Sequence, residues 1–412
     1  MSFTFRNASL YCEEVALADI AESVGTPCYV YAAGTILANY QAYDTAFGEL
    51  PHTVCYAVKA NSNLAVLRLL AEAGAGFDIV SGGELFRVLK AGGDPAKVVF
   101  SGVGKTRDEI DYALDQGVFG FHSESESELA LIDALAARRG VTARIALRVN
   151  PDVDAATHPY ISTGLSEHKF GIDISEVEGV YERALAFKNL RPESVSCHIG
   201  SQILDTKPLN EAIDKMLALV ERLRAKGLPI RHIDLGGGLG VAYKPEDATP
   251  QISRFIGTMR ERLAGRDLHA MIEPGRSIVG EAGVLVTRVL NRKRNGSKEF
   301  VIVDAGMNDL IRPSLYKAHH EIVPLRQNSL PAFKADVVGP VCESGDFFAL
   351  GREIATVLPG DLVALKTAGA YGFVLSSNYN SRPRVAEVLV EGNAWRVVRR
   401  RETFEDLIRG EE

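Results

Sequence analysis

The stretch Thr53–Asn63 reads TVCYAVKANSN. Its first six residues, Thr53–Val58, have the β-branched and aromatic composition of a buried strand. Lys59 stands at the exit. Ala60–Asn63 then supply turn and helix-capping residues ahead of the apolar run Leu64–Leu70. Burial at such a position lowers the pKa of an amine and makes it a nucleophile suited to Schiff-base chemistry. A solvated loop lysine is the ordinary alternative, and the rest of the chain has to decide between the two.

Downstream, strand-like and helix-like segments alternate. Strands are expected at Gly76–Val80, Lys97–Ser101, Gly117–Phe121, Ala143–Val149, Glu193–Cys197, Arg231–Leu235 and Leu268–Ile272, which with Thr53–Val58 make eight. Helical patterns lie between them, at Gly83–Lys90, Arg107–Asp115, Glu124–Arg138, Ile174–Ala186, Leu209–Ala225 and Ile252–Leu263. This pattern predicts a parallel (β/α)8 barrel of the TIM type over residues 34–276. After Gly275 the texture turns to strands with few helices: Ser277–Leu290, Glu299–Val303, Ala332–Val341, Phe347–Leu350, Asp361–Leu365, Arg384–Glu391 and Ala394–Arg400. Residues 277–412 therefore read as a second, all-β domain, joined by residues 1–33 through strands near Phe3–Phe5 and Cys28–Tyr31.

Composition narrows the function classes. The 412 residues can bury two sizeable cores, and a formal net charge of -7 gives no basic footprint for nucleic acid. The local cluster RVVRRR at Arg396–Arg401 is followed by acidic residues and reads as a solvated tail. Five cysteines without a CxxC pair argue against a disulfide framework or zinc site. The N-terminus lacks a charged start followed by an apolar core, and no apolar run matches a membrane span. A cytoplasmic protein is expected.

In such a barrel, chemistry belongs at the C-terminal ends of the strands. Lys59, Asp78 with Ser81, His122, Arg148 with Asn150, His198 with Ser201, Gly236–Gly238, and Glu273 with Arg276 all fall there. Gly104-Lys105-Thr106 mimics the end of a phosphate-binding P-loop but lacks the glycine required at Val99, so it reads as a βα loop. The glycines at 236–240 fail the dinucleotide fingerprint at Val241, although they could still present N–H groups to a phosphate. Glu273 needs a buried partner, either Arg276 in an ion pair or the protonated nitrogen of a pyridine ring. In the second domain, RPSLY (312–316) reads as a proline-fixed loop, Cys342 and Glu343 share a glycine-flanked loop, and Tyr371 lies among small residues.

Together these segments resemble the diaminopimelate decarboxylases, within the alanine racemase/ornithine decarboxylase fold group of pyridoxal-phosphate enzymes. The resemblance is carried by YAVKAN (56–61), FDIVSGGEL (77–85), HPYISTGLSEHKFGI (158–172), HIGSQI (198–203), GGGLG (236–240), EPGR (273–276), RPSLY (312–316), CESGDFFA (342–349) and AGAYGF (368–373). It spans both domains.

The resemblance implies pyridoxal 5'-phosphate held on Lys59, with Glu273 at the pyridine nitrogen, His198 stacked on the ring and Asp78 in support. Ser201, Gly237, Gly275, Arg276 and Tyr371 would hold the phosphate. It further implies meso-diaminopimelate as substrate and L-lysine as product. Arg276, Arg312 and Tyr316 would bind the distal carboxylate, Glu343 the distal ammonium, and Tyr371 would also face the substrate. Cys342 would reprotonate the α-carbon, with Lys59 as the competing acid. A homodimer is implied, in which Cys342 and Glu343 cross to the neighbouring site. Other amino-acid decarboxylases of the fold, a racemase, and a non-catalytic regulatory homologue are the alternatives. The presence of Arg312 and Glu343 argues against the first, and that of Lys59 and Cys342 against the last.

Overall fold

The computed structural model describes residues 3–154 and 169–412 of the chain. Residues 158–168 of the HPYISTGLSEHKFGI motif thus lie outside the described residues. The chain forms two units. One comprises Asn39–Val241 and Ala248–Ser277, the other Met1–Ala38, Ala242–Asp247 and Ile278–Glu412.

The first unit is a closed parallel barrel. Its strands are His52–Ala57, Gly76–Ile79, Val98–Phe100, Gly120–Ser123, Ala143–Asn150, Leu190–Cys197, His232–Asp234 and His269–Ile272. Each pairs in parallel with the next, and Ala270 opposite His52 closes the ring between last and first. All eight expected strands are present. The fourth sits three residues later than expected at its start, because Gly117 is the left-handed cap of the preceding helix, not a strand residue. Burial on both faces explains the near-continuous apolar strands. Capping side chains start the helices that follow: Asn63, Ser81, Thr106 and Ser125 each accept from a backbone N–H of the first turn. Ser81, expected at the rim as a site residue, is thereby a helix cap.

In the second unit a long strand, Gly283–Asn295, is the pivot. It pairs with Cys28–Ala32 and Leu362–Leu365 along one half and with Lys298–Val303 along the other. Phe333–Val338, Phe347–Ile354, Ala386–Glu391, Ala394–Arg399 and Ile322–Pro324 complete this sheet, while Phe3–Arg6, Ser9–Cys12 and Val15–Ala16 form a second. Apolar side chains from Leu10 through Ile20, Val30, Val284 and Val388 pack into one core.

Three expectations change here. Ser277 does not open the long strand, because Arg276–Val279 is a helical turn. RPSLY is likewise a short helix, Arg312–Tyr316, with Pro313 in its first turn, where a missing N–H costs nothing. The basic cluster is no tail. Arg396–Arg399 lie in the last strand, Arg399 pairs with the buried Glu387, and Arg401 donates to the Pro27 carbonyl. Among the described residues no helix is long and apolar enough to cross a membrane.

Candidate active site

The C-terminal rim of the barrel gathers groups from strands far apart in sequence. Lys59 lies in the 3-10 turn Val58–Ala60 directly after the first strand, and its Nζ donates to Asp78 Oδ2 at 2.8 Å. Its side chain is 37% exposed while that of Asp78 is fully buried, so the amine is an accessible, ion-paired group and not the buried lysine expected. Burial and the charge of Glu273 push the Asp78 carboxyl up, and the field of Lys59 opposes them.

Glu273 meets His122 across the barrel. His122 Nδ1 is 3.3 Å from Glu273 Oε1 and Nε2 is 3.8 Å from Asp234 Oδ2. Ser101 Oγ lies 3.2 Å from the same Nδ1 and donates to Glu273 Oε1 at 3.4 Å. Burial works to raise the Glu273 pKa, but the hydrogen bond and charge of His122, with Lys59, pull it down to about 2. Burial works against a charged His122, and the Glu273 hydrogen bond with the fields of Asp234, Glu273 and Asp78 outweighs it, raising the imidazole above its ordinary value. Asp234 moves the other way, pushed well up by burial and then by Glu273. Donor atoms of His122, Asp234 and Glu273 lie within 4.8 Å of one another. The imidazole faces the two carboxylates with different nitrogens.

His198 follows the sixth strand. Burial, then Arg148 and Lys59, lower its pKa to about 3, so its ring is neutral. The Gly237 amide donates to its Nδ1 at 3.2 Å, leaving the proton on Nε2. That amide is therefore committed to His198 in this structure. Around it the backbone is too tight for side chains: a Cβ on Gly237 would lie 2.2 Å from the Glu273 carbonyl, and one on Gly238 2.4 Å from the Gly200 carbonyl. Arg276 donates through Nη2 to Ser201 Oγ at 3.0 Å, placing a guanidinium and a hydroxyl side by side.

These residues fit a pyridoxal cofactor. Three buried carboxylates, Asp78, Asp234 and Glu273, face two bases, Lys59 and His122. Asp78 Oδ1 and Asp234 Oδ2 are buried without a hydrogen-bond partner. A planar ring bearing a cationic N–H suits this acceptor-rich floor, and the Arg276–Ser201 pair suits a phosphate.

The second unit holds the other expected residues. Arg312 is buried, its guanidinium 4.5 Å from the centre of the Tyr243 ring, and its Nη1 donates to His320 Nε2 at 2.9 Å. His320 Nδ1 donates to the Lys366 carbonyl at 2.8 Å, which fixes Nε2 as the acceptor. Burial and then Arg312 lower the His320 pKa to about 3, consistent with that tautomer. Tyr316 and Tyr371 are half-buried, and Tyr371 adopts a left-handed φ of 54°. Cys342 and Glu343 are exposed on a turn braced by Asp346, which accepts from Met307 N and Val341 N at 2.6 Å each.

Sequence reasoning gave no role to Ser101, Asp234, His320, Tyr243 or Lys105, and it placed His122 at the rim without one. The Lys105 side chain is fully buried and donates to the carbonyls of Gly102 and His122 and to Glu128. Polar residues at strand ends were the one available signal, and it applied to Ser101 and Asp234 as well.

Comparison with known proteins agrees with this geometry. Residues 33–280 match the family model described as the pyridoxal-binding domain of pyridoxal-dependent decarboxylases. The chain is 57% identical over 410 residues to diaminopimelate decarboxylase of Pseudomonas aeruginosa, covering 100% of this chain and 98% of that one. Diaminopimelate decarboxylase of Helicobacter pylori, solved with L-lysine, superposes with a TM-score of 0.92 at 45% identity, over 95% of this chain and 98% of that one. The M. jannaschii enzyme, also in complex with L-lysine, gives 0.95 at 35% identity, over 100% and 98%. The chain belongs to the diaminopimelate decarboxylase family of pyridoxal-dependent decarboxylases.

Proposed function

We infer that the chain is a pyridoxal 5'-phosphate-dependent decarboxylase that converts meso-2,6-diaminopimelate to L-lysine and carbon dioxide, the last step of lysine biosynthesis. The observation that carries this reading is the rim of the barrel, where an accessible Lys59 and an ionised Glu273 sit on one buried network. Pyridoxal phosphate, when bound, supplies the electron sink for the carbanion left as carbon dioxide departs. Lys59 Nζ is the amine that carries it. Asp78 orients that amine and balances its charge. Glu273 would keep the pyridine nitrogen protonated, and the hydrogen bond and charge of His122, which hold its pKa low, favour the carboxylate that this needs. His198, whose pKa is lowered by burial, would lie against the ring without adding charge. Ser201, Arg276, the backbone at Gly275, and Tyr371 hold the phosphate, and the Gly237 amide, which meets His198 here, would join them on turning from that ring.

Arg312, Arg276, Tyr316 and Tyr371 read the distal end of the substrate, with Glu343 taking its ammonium group. A rigid guanidinium fork matches a carboxylate, and His320 with Tyr243 gives Arg312 that rigidity. Cys342 returns a proton to the α-carbon from Sγ. Residues 34–276 act as the cofactor-binding domain, with 1–33 and 277–412 as the β domain. The working unit is a homodimer in which Cys342 and Glu343 serve the adjoining site, and their exposure in the single chain supports this. The reaction belongs in the cytoplasm.

The test is carbon dioxide release by the cofactor-loaded protein, offered meso-diaminopimelate, ornithine, arginine or lysine separately. Release from diaminopimelate alone, with L-lysine recovered, is expected. Release from another diamine acid would overturn the distal assignments, and release from none would overturn the function.

A further inference from the structure

We propose that His122 is a positioning residue for this reaction: its ring, lodged between Glu273 and Asp234, fixes the Glu273 carboxylate that meets the cofactor's pyridine nitrogen. The proposal rests on the reading of Glu273 given above.

The geometry leaves the ring little other role. His122 is 4% exposed, on the fourth strand, and its two nitrogens face carboxylates delivered by the seventh and eighth. Ser101, at the end of the third strand, touches both Nδ1 and Glu273 Oε1, so hydroxyl, imidazole and carboxylate form a closed triangle. Among the described residues, the other titratable groups around this centre include Asp78 and Lys59, which pair with each other, His198, which acts on Glu273, and Lys105, which donates to the His122 carbonyl.

Charge explains why a base is needed at this position. Glu273 and Asp234 both lie against the one imidazole in a buried site. Two carboxylates that close cannot both ionise unless a cation stands between them. An imidazolium between them relieves that repulsion and favours the negative charge on Glu273; the opposite directions of the two carboxyl pKa shifts, Glu273 down and Asp234 up, agree with this division. With a neutral side chain at 122, the proton would be shared between the carboxylates. Part of Glu273 would then be a carboxylic acid, which cannot hold a pyridinium.

The experiment compares the cofactor-loaded wild type with His122→Asn and Glu273→Gln. In wild type labelled with 15N-histidine, both His122 nitrogens are expected to carry protons at pH 7.5. His122→Asn is expected to release pyridoxal phosphate about tenfold more readily and to lower kcat about tenfold to hundredfold, the loss of one charge-assisted hydrogen bond. KM for diaminopimelate should stay within about twofold, because uniform substrate binding is untouched. The cofactor's visible absorption band should also become pH-dependent. A purely structural His122 would lower thermal stability without moving the band or the kcat-to-KM split. An unchanged band and cofactor retention in His122→Asn, with Glu273→Gln strongly impaired, would overturn this proposal alone. Both variants unchanged would instead overturn the Glu273 assignment. Should His122→Asn fail to fold, the NMR result on unaltered protein decides, and a singly protonated ring at pH 7.5 sinks the idea.

Discussion

The rim of the barrel and the loops of the β unit use carboxylates in different ways. In the barrel, Asp78, Asp234 and Glu273 face titratable bases, Lys59 and His122, so each protonation state depends on its neighbours. In the β unit, Asp304 accepts from the hydroxyls of Thr26 and Thr287 and the amide of Arg288, and Asp346 from the amides of Met307 and Val341. Those donors cannot change charge. The first arrangement stores a proton inventory at one rim, which is what cofactor chemistry requires. The second only fixes loops, among them the turn that carries Cys342 and Glu343. An ionisable partner alone does not mark chemistry, since buried Asp336 pairs with Lys298 and buried Glu387 with Arg399 in the β unit; the rim differs in gathering several such groups into one network.

The sharpest break of this contrast is at Lys59. Lys59→Ala should lower decarboxylation about a thousandfold or more, as for other removed nucleophiles, measured as carbon dioxide release with added cofactor. A loss under about tenfold would make the rim network structural and erase the difference between the units. Next comes Arg312, the buried cation among the β-unit residues assigned to substrate. Arg312→Lys keeps the charge but loses the fork, and KM for diaminopimelate should rise about tenfold or more with kcat less affected. An unchanged KM would return that cluster to a packing role.

Asp346→Ala tests the architectural side. It leaves the Met307 and Val341 amides without their acceptor, and urea unfolding should show a loss of about 2 kcal/mol or more. A change below about 0.5 kcal/mol would mean the turn holds without it. The last test concerns pH, where the effect per pH unit is small. His320 has its folded pKa lowered to about 3, against an ordinary 6.5. Below pH 6.5 the unfolded chain takes up a proton that the folded chain refuses until about pH 3, so stability falls as pH falls through that window. His320→Gln should flatten the fall by up to about 1.4 kcal/mol per pH unit between pH 6 and 4, read from urea midpoints. An unaltered slope would show that His320 is already charged against Arg312, contrary to its hydrogen bonds.

Much of this was legible in the chain. The eight barrel strands followed from apolar runs separated by amphipathic segments, because a strand buried on both faces must be apolar throughout. Lys59, His198 and Glu273 were legible as polar residues closing such runs. RPSLY was misread because a proline next to a polar residue suits a loop and a helix's first turn equally, and only the following turn of backbone distinguishes them. The basic cluster was misread because charge in sequence says nothing about a buried Glu387 one strand away.

Sequence by itself thus determined the alternation that closes the barrel and the rim on which its polar residues end, since both are matters of local period and burial. Tertiary structure alone decided who meets whom. Ser101, His122, Asp234 and Glu273 come from four strands, and the charge each carries is set by the summed field of the others at 3 to 4 Å. No stretch of sequence contains that sum, because it exists only once the strands have closed into a ring.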